Sequence, residues 1–256
     1  MTRNSEQAGA VLSTLLTSLR LPSINRNWLR LCDTADKEGW PAAHLLASLL
    51  EIEMAERDTR RIQRHRDQSG LPSGKTFATF DFDAAPSIKK AQIMALAGAT
   101  EWIKNGDNLL VFGQSGTGKT HIVSATAHAL IDVGYRVLFS STADMVQKLQ
   151  LAKRNLELPS MLEKLDKYHL LVLDDMSYAR KDQAETSVLF ELIAHRYERH
   201  SIAITANQDF SAWDQIFPDP AMTVAAIDRL VHHGTLLQIN GESFRKRTAI
   251  KRASVV

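Results

Sequence analysis

The eight residues Gly113-Gln114-Ser115-Gly116-Thr117-Gly118-Lys119-Thr120 constrain this chain more than any other stretch. They follow the apolar run 108–112 and open the apolar-periodic run 121–133, so the local pattern is strand, glycine-rich turn, helix. The glycines let the backbone curl until successive N–H groups converge on one anion, at the positive end of a new helix. In that arrangement Lys119 reaches the β- and γ-phosphates of a nucleotide, and the Thr120 hydroxyl ligates a magnesium ion.

From residue 106 onward strand and helix patterns alternate, which predicts an α/β core with a parallel sheet between helical layers. Strands are expected at 108–112, 135–140, 170–175, 201–205 and 235–239, with helices between them at about 142–154, 160–166, 182–200 and 221–233. The run Leu170-Leu171-Val172-Leu173 ends in Asp174-Asp175. A carboxylate at the carboxyl end of a buried strand lies in the crevice where such sheets bind ligands. Asp174 then holds magnesium, usually through water, and Asp175 polarises the attacking water as general base. An acidic turn without chemistry is the competing reading. Asn207, just past the fourth strand, either orients that water or is a plain turn residue. His232 and His233 are adjacent on a predicted helix, where neighbours point different ways. No third ligand is near them in sequence, so no metal is expected there.

The first 70 residues read as helices only: about 7–19, then 24–36 after a break at Pro22-Ser23, then a long one from Pro41. In the third, Leu45, Leu49, Ile52 and Leu46, Leu50, Met54 form an apolar side. Arg57, Arg60, Arg61 and Arg64 follow at i, i+3, i+4, i+7 spacing on one face. The net charge is only +2, but the tracts 57–66 and 245–256 carry five basic residues each against a single acid. Outside them, acids outnumber bases by seven. Such concentration suits contacts to nucleic-acid phosphates, with Arg245, Lys246 and Arg247 as the second tract. A solvated helix face, partly neutralised by Glu53, Glu56 and Asp58, explains the first tract equally well. The Gly/Pro/Ser cluster 69–74 is the expected domain boundary. Beyond it Phe77, Phe80 and Phe82 form an aromatic lead-in able to pack over the nucleotide edge, and 88–103 reads as one helix. The single cysteine, Cys32, fits a reducing cytoplasm, and no stretch approaches the length of a membrane span.

Taken together, these landmarks resemble the IstB-like transposition helper proteins, relatives of the DnaC-type helicase loaders within the AAA+ ATPases. The resemblance is carried by the Thr76-Phe77…Phe80-Asp81-Phe82 lead-in, the loop 113–120 followed by His121, Leu171-Val172-Leu173-Asp174-Asp175, Ile204-Thr205-Ala206-Asn207-Gln208, and Asp228-Arg229-Leu230-Val231-His232-His233. It implies a P-loop NTPase core at 71–256 with strand order 5-1-4-3-2, preceded by a small all-helical DNA- or partner-binding domain at 1–70. ATP and Mg2+ are the implied cofactors. Gly113, Gln114, Ser115, Gly116, Thr117, Gly118, Lys119, Thr120 and His121 look like the Walker A segment, and Leu170 to Asp175 like Walker B, with Thr120 and Asp174 on the metal.

By the same resemblance Lys119 and Asp175 serve hydrolysis, Asn207 is similar to the sensor-1 residue, and Arg229 looks like an arginine finger given to a neighbouring subunit. On its own, Arg229 is only a helix-surface arginine beside Asp228. Duplex DNA, a cognate transposase and further copies of the chain are the implied partners; a helicase loader acting on single strands is the alternative. A small-molecule kinase is disfavoured because no substrate-pocket signal follows the loop. Asp175 is one methylene shorter than the glutamate usual there, which implies slow turnover. The short segment after the last strand leaves no room for a helical lid, and Arg245 only approximates a sensor-2 arginine.

Overall fold

Five apolar runs pair side by side, all in parallel: β1 (Asn108–Gly113), β2 (Val137–Ser141), β3 (Leu170–Asp174), β4 (Ser201–Ala206) and β5 (Gly234–Ile239). Their order in the sheet is β2-β3-β4-β1-β5, the order the resemblance implies. The computed structural model describes residues 3–176, 182–210, 213, 219–241 and 243–244. Arg245, Lys246 and Arg247, the second proposed DNA tract, lie outside the described residues.

Every position of β1 and β4 is buried, as the unbroken apolar character of these runs requires of strands covered on both faces. Alternation then sorts the side chains. Register places Leu110 beside Ile204 and Ile204 beside Leu173, so one row crosses three strands. That row, with Phe112, Leu171 and Ile202, packs against Met145 and Leu149 of α7 (Thr142–Arg154), Leu162 of α8 (Leu158–Leu165), Leu189 and Leu192 of α9 (Gln183–Arg196) and Leu230 of α10 (Pro220–Val231). Helix α6 (Lys119–Asp132) packs on β1 and β4 through residues outside that cluster, among them Ile122, Val123, Leu130 and Ile131. Helix α4 (Lys90–Gly98) lies against α6 in turn. The sheet is therefore the middle of three layers.

Local chemistry sets the ends of these helices. Asp182 and Glu185 form a reciprocal capping box at the start of α9, and the Asp219 carboxylate caps α10 ahead of Pro220. Two expectations change. The helix expected at 88–103 is two, α4 and α5 (Glu101–Asn105), because Gly98 ends the first and the Trp102 indole N–H donates to the freed Leu96 carbonyl at 2.9 Å. The helix expected to reach residue 200 stops at Arg196, since the chain must turn before β4 begins at Ser201; Glu198 makes that turn with φ +55°.

The chain divides into two compact units, 1–64 and 65–256. The first is helical: α1 (Arg3–Ser18), α2 (Pro22–Glu38) and most of α3 (Ala42–Gln68). The expected break after the first helix is present, α1 ending at Ser18, and Pro22 opens α2, where its missing N–H is harmless; Gly39 closes that helix at φ +67°. Glu53 is 2% exposed and organises this unit. Its carboxylate accepts from the backbone N–H of Ser23 (2.8 Å) and Ile24 (3.2 Å), which are orphan donors in the first turn of α2. It also accepts from Arg57 at 2.9 Å and Arg60 at 3.3 Å. Leu46, Leu50 and Met54 of α3 are exposed rather than packed. Among the described residues no helix is long and apolar enough to cross a membrane.

Candidate functional site

The loop between β1 and α6 is shaped by three glycines whose φ angles, +151° at Gly113, +83° at Gly116 and +101° at Gly118, lie where side chains are strained. The approach is close as well as strained. A Cβ on Gly113 would sit 2.3 Å from the Ile239 carbonyl oxygen, and one on Gly118 would sit 2.9 Å from the Phe80 ring. The loop ends as the N-terminus of α6, whose first residue is Lys119. Its ammonium, though almost fully buried, donates to the carbonyls of Gly113 (2.7 Å) and Gln114 (2.9 Å) and to Asn207 Oδ1 (2.8 Å). The lysine thus links the loop to the end of β4.

A continuous chain of hydrogen bonds runs from Thr120, next to Lys119, across the ends of β3 and β4. The Thr120 hydroxyl donates to Asp174 Oδ2 at 3.2 Å. The Thr205 hydroxyl donates to Asp174 Oδ1 at 2.6 Å and accepts from the Asp175 N–H at 2.9 Å. Asn207 Nδ2 donates to Asp175 Oδ1 at 3.3 Å. Asp175 has φ +62°, a left-handed conformation that costs about 1–2 kcal/mol outside glycine and is held here by these partners. Thr120 and Asp174 offer a hydroxyl and a carboxylate oxygen side by side, a donor set that fits a small hard cation such as magnesium.

These groups line one cleft of about 530 Å³, bounded by residues 115–121, Asp174, Asp175, Thr205 and Asn207 on the sheet side and by Thr79, Phe80 and Asp81 on the other. That volume is within the range of nucleotide-sized ligands. His121 lines it too, but its imidazole Nε2 lies 2.9 Å from the Thr76 carbonyl oxygen and 3.2 Å from the Thr79 hydroxyl. Phe80 packs edge-on against the same ring, with centroids 5.1 Å apart. The aromatic lead-in is therefore pinned beside the loop by His121.

Three features escaped sequence reading. Thr205 is one threonine in an apolar strand, and only the β3–β4 pairing reveals that it holds both acids. The Thr76 and Thr79 contacts to His121 span more than 40 residues. Phe80 had no mark to separate it from Phe77 or Phe82.

The remaining candidates sit elsewhere. Arg229 does not line the cleft of its own chain: its guanidinium donates to the Ala225 carbonyl at 2.8 Å and stacks over Phe190 at 5.2 Å and Tyr197 at 6.0 Å. Of the arginine face on α3, Arg57 and Arg60 are committed to Glu53, and Arg57 also donates to the Arg20 carbonyl at 2.6 Å. Arg61 pairs with Asp58 at 3.1 Å, and Arg64 is exposed.

Known proteins resemble this chain in sequence and in fold. The family profile described as "IstB-like ATP binding protein" matches residues 14–252. An insertion-sequence ATP-binding protein of Sinorhizobium fredii is 55% identical over 242 residues, covering 94% of this chain and 81% of that one. The insertion sequence IS21 ATP-binding protein of Pseudomonas aeruginosa is 33% identical over 234 residues, or 91% of this chain and 88% of that one. Among solved structures, DnaI superposes with a TM-score of 0.54 at 17% identity over 67% of this chain and 96% of that one. The AMPPCP-bound DnaA of Aquifex aeolicus gives 0.52 at 20% identity, over 72% of this chain and 56% of that one. At such identities the structural likeness speaks for the fold alone. The family match is of another order, since it spans nearly the whole sequence: the chain belongs to the IstB-like ATP-binding protein family.

Proposed function

We propose that this protein is an ATP-dependent, DNA-binding helper of an insertion-sequence transposase, assembling on duplex DNA in its ATP state. The observation that carries the ATP half is the convergence of Lys119, Thr120, Asp174, Asp175 and Asn207 on one cleft beside a glycine-shaped helix N-terminus. In that reading the loop N–H groups and Lys119 bind the phosphates, and Thr120 and Asp174 hold the magnesium ion. When bound, the metal supplies charge neutralisation on the phosphates. Asp175 takes the proton of the attacking water, and Asn207, bonded both to Asp175 and to Lys119, fixes its position. Arg229 belongs to a neighbour's site, which fits its absence from the cleft of its own chain. Two subunits then share each nucleotide, and hydrolysis releases the assembly.

The transposition half rests on the relatives, which are named for the insertion sequences that carry them. For DNA, the helical unit 1–64 offers Arg61 and Arg64 as the less committed members of its arginine face.

The test is size-exclusion light scattering of the full chain with a duplex or a matching single strand, each with ATP, ADP or no nucleotide, repeated with Lys119→Ala. A large assembly that needs both ATP and duplex, and is lost in the variant, is the expected result. Assembly only on single strands would favour a helicase loader, and a nucleotide-independent monomer would overturn the shared site.

A further inference from the structure

His232 and His233 follow Val231, the last residue of α10. On a continuing helix their side chains would diverge by about 100°. The helix ends there instead, and the chain turns into β5 at Gly234, so the two imidazole rings lie 4.0 Å apart with their planes tilted by 51°. The sheet order supplies what the sequence did not. Strands β4 and β5 flank β1, and the residues leading into them share the amino edge of the sheet, where the Asn108 N–H donates to the His233 carbonyl at 2.9 Å. Glu198, in the left-handed turn before β4, therefore faces the two histidines across β1.

Glu198 Oε1 is 3.6 Å from His233 Nε2 and 3.9 Å from His232 Nδ1, and one ligand atom from each residue lies within 4.8 Å of the others. A tetrahedral zinc ion with ligands at its usual bond lengths sets them about 3.3 Å apart. The three side chains are exposed, which leaves them room for the small contraction required. The Tyr197 hydroxyl lies 2.7 Å from His232 Nδ1, the nitrogen that faces Glu198, so a cation bound there takes the place of this hydrogen bond. The sequence-based exclusion of a metal here rested on divergent histidines and a missing third ligand, and the fold removes both grounds.

We propose that Glu198, His232 and His233 form a binding site for a divalent cation of the zinc class, with the fourth position open to water. Two imidazoles and one carboxylate suit Zn(II), Co(II), Ni(II) or Cu(II) and not the hard magnesium of the nucleotide cleft. That cleft opens at the carboxyl ends of the strands, whereas this cluster sits at their amino ends. The cation would join the α9–β4 and α10–β5 connections. It would also lie next to Tyr197, whose ring carries the Arg229 guanidinium.

The experiment uses the untagged full chain without nucleotide, titrated with zinc chloride by calorimetry and with cobalt(II) by its d–d absorption. One equivalent is expected to bind with a dissociation constant below about 100 μM. His233→Ala and Glu198→Gln should each weaken it by about tenfold or more, while His44→Ala leaves it unchanged. Zinc should raise the unfolding midpoint of the native chain and not that of His233→Ala. Absence of saturable binding overturns the proposal, as does binding unchanged in either variant. Because no nucleotide or DNA is present, neither result bears on the ATP site.

Discussion

Replacing Thr205 by valine removes one oxygen and keeps the branched shape that β4 packs. In the native site that oxygen donates to Asp174 at 2.6 Å and accepts from the Asp175 N–H at 2.9 Å. The side chain is 1% exposed, so water does not easily replace it. A hydrogen bond to a carboxylate contributes about 1.5–3 kcal/mol, and a stranded buried N–H costs about 1–3 kcal/mol. Because Asp175 itself is exposed and Asp174 half-buried, the lower ends apply, and Thr205→Val should lose about 2–4 kcal/mol. In urea melts followed by tryptophan fluorescence that is a midpoint shift of about 1 M. The same variant should bind ATP with less help from magnesium, since Asp174 is no longer held against Thr120. Thr205→Ser, which restores the hydroxyl, should recover most of both effects. A valine variant within about 0.5 kcal/mol of the native chain, with unchanged magnesium dependence, would refute the claim that this hydroxyl positions the two acids.

Arg229→Ala and Lys119→Ala should each abolish ATP turnover, by on the order of 10³-fold, yet a mixture of the two should regain activity because one supplies the arginine and the other an intact loop; no recovery on mixing would refute the shared site. Burial alone would raise the Glu53 carboxyl, but hydrogen bonds from Arg57 and from the N–H groups of Ile24 and Ser23 outweigh it and hold it below the usual carboxylate range. Its contribution is therefore present above about pH 4.3 and lost as pH falls through the lower folded value, so helicity of the 1–64 unit should weaken there, and less steeply in Glu53→Gln, by circular dichroism. Burial pulls the Arg196 guanidinium down to about 10, leaving it charged at neutral pH. It donates to the carbonyls of Leu165 (3.1 Å), Tyr168 (2.9 Å) and Ser201 (3.0 Å), so Arg196→Met should cost about 3 kcal/mol or more in urea melts, and a loss under about 1 kcal/mol would show those carbonyls find other partners.

What the sequence disclosed was whatever is local along the chain. The loop 113–120 announces itself because its glycines, lysine and threonine act within one turn, and the strands do so because parallel strands buried on both faces read as unbroken apolar runs. Asp174 and Asp175 were visible as acids ending such a run. Thr205 was not, since its role arises from the register that sets β3 against β4. Glu198 and the two histidines were invisible together for the same reason: residues 34 or more apart meet only once β1 is inserted between β4 and β5. On α3 the arginine spacing was plain, but the burial of Glu53, which decides what two of those arginines do, depends on how α2 begins.

That last arrangement has a thermodynamic consequence for any polyanion engaging the helical unit. Affinity for DNA comes largely from the cations a duplex sheds when protein charges replace them, at about 0.9 counterions per phosphate neutralised. Arg57 and Arg60 already carry a resident anion in Glu53, anchored from its other side by α2. Either arginine displaces a duplex counterion only by leaving a buried carboxylate behind. The salt dependence of binding through this face should therefore follow Arg61 and Arg64, and a count of all four arginines overstates it by about two counterions.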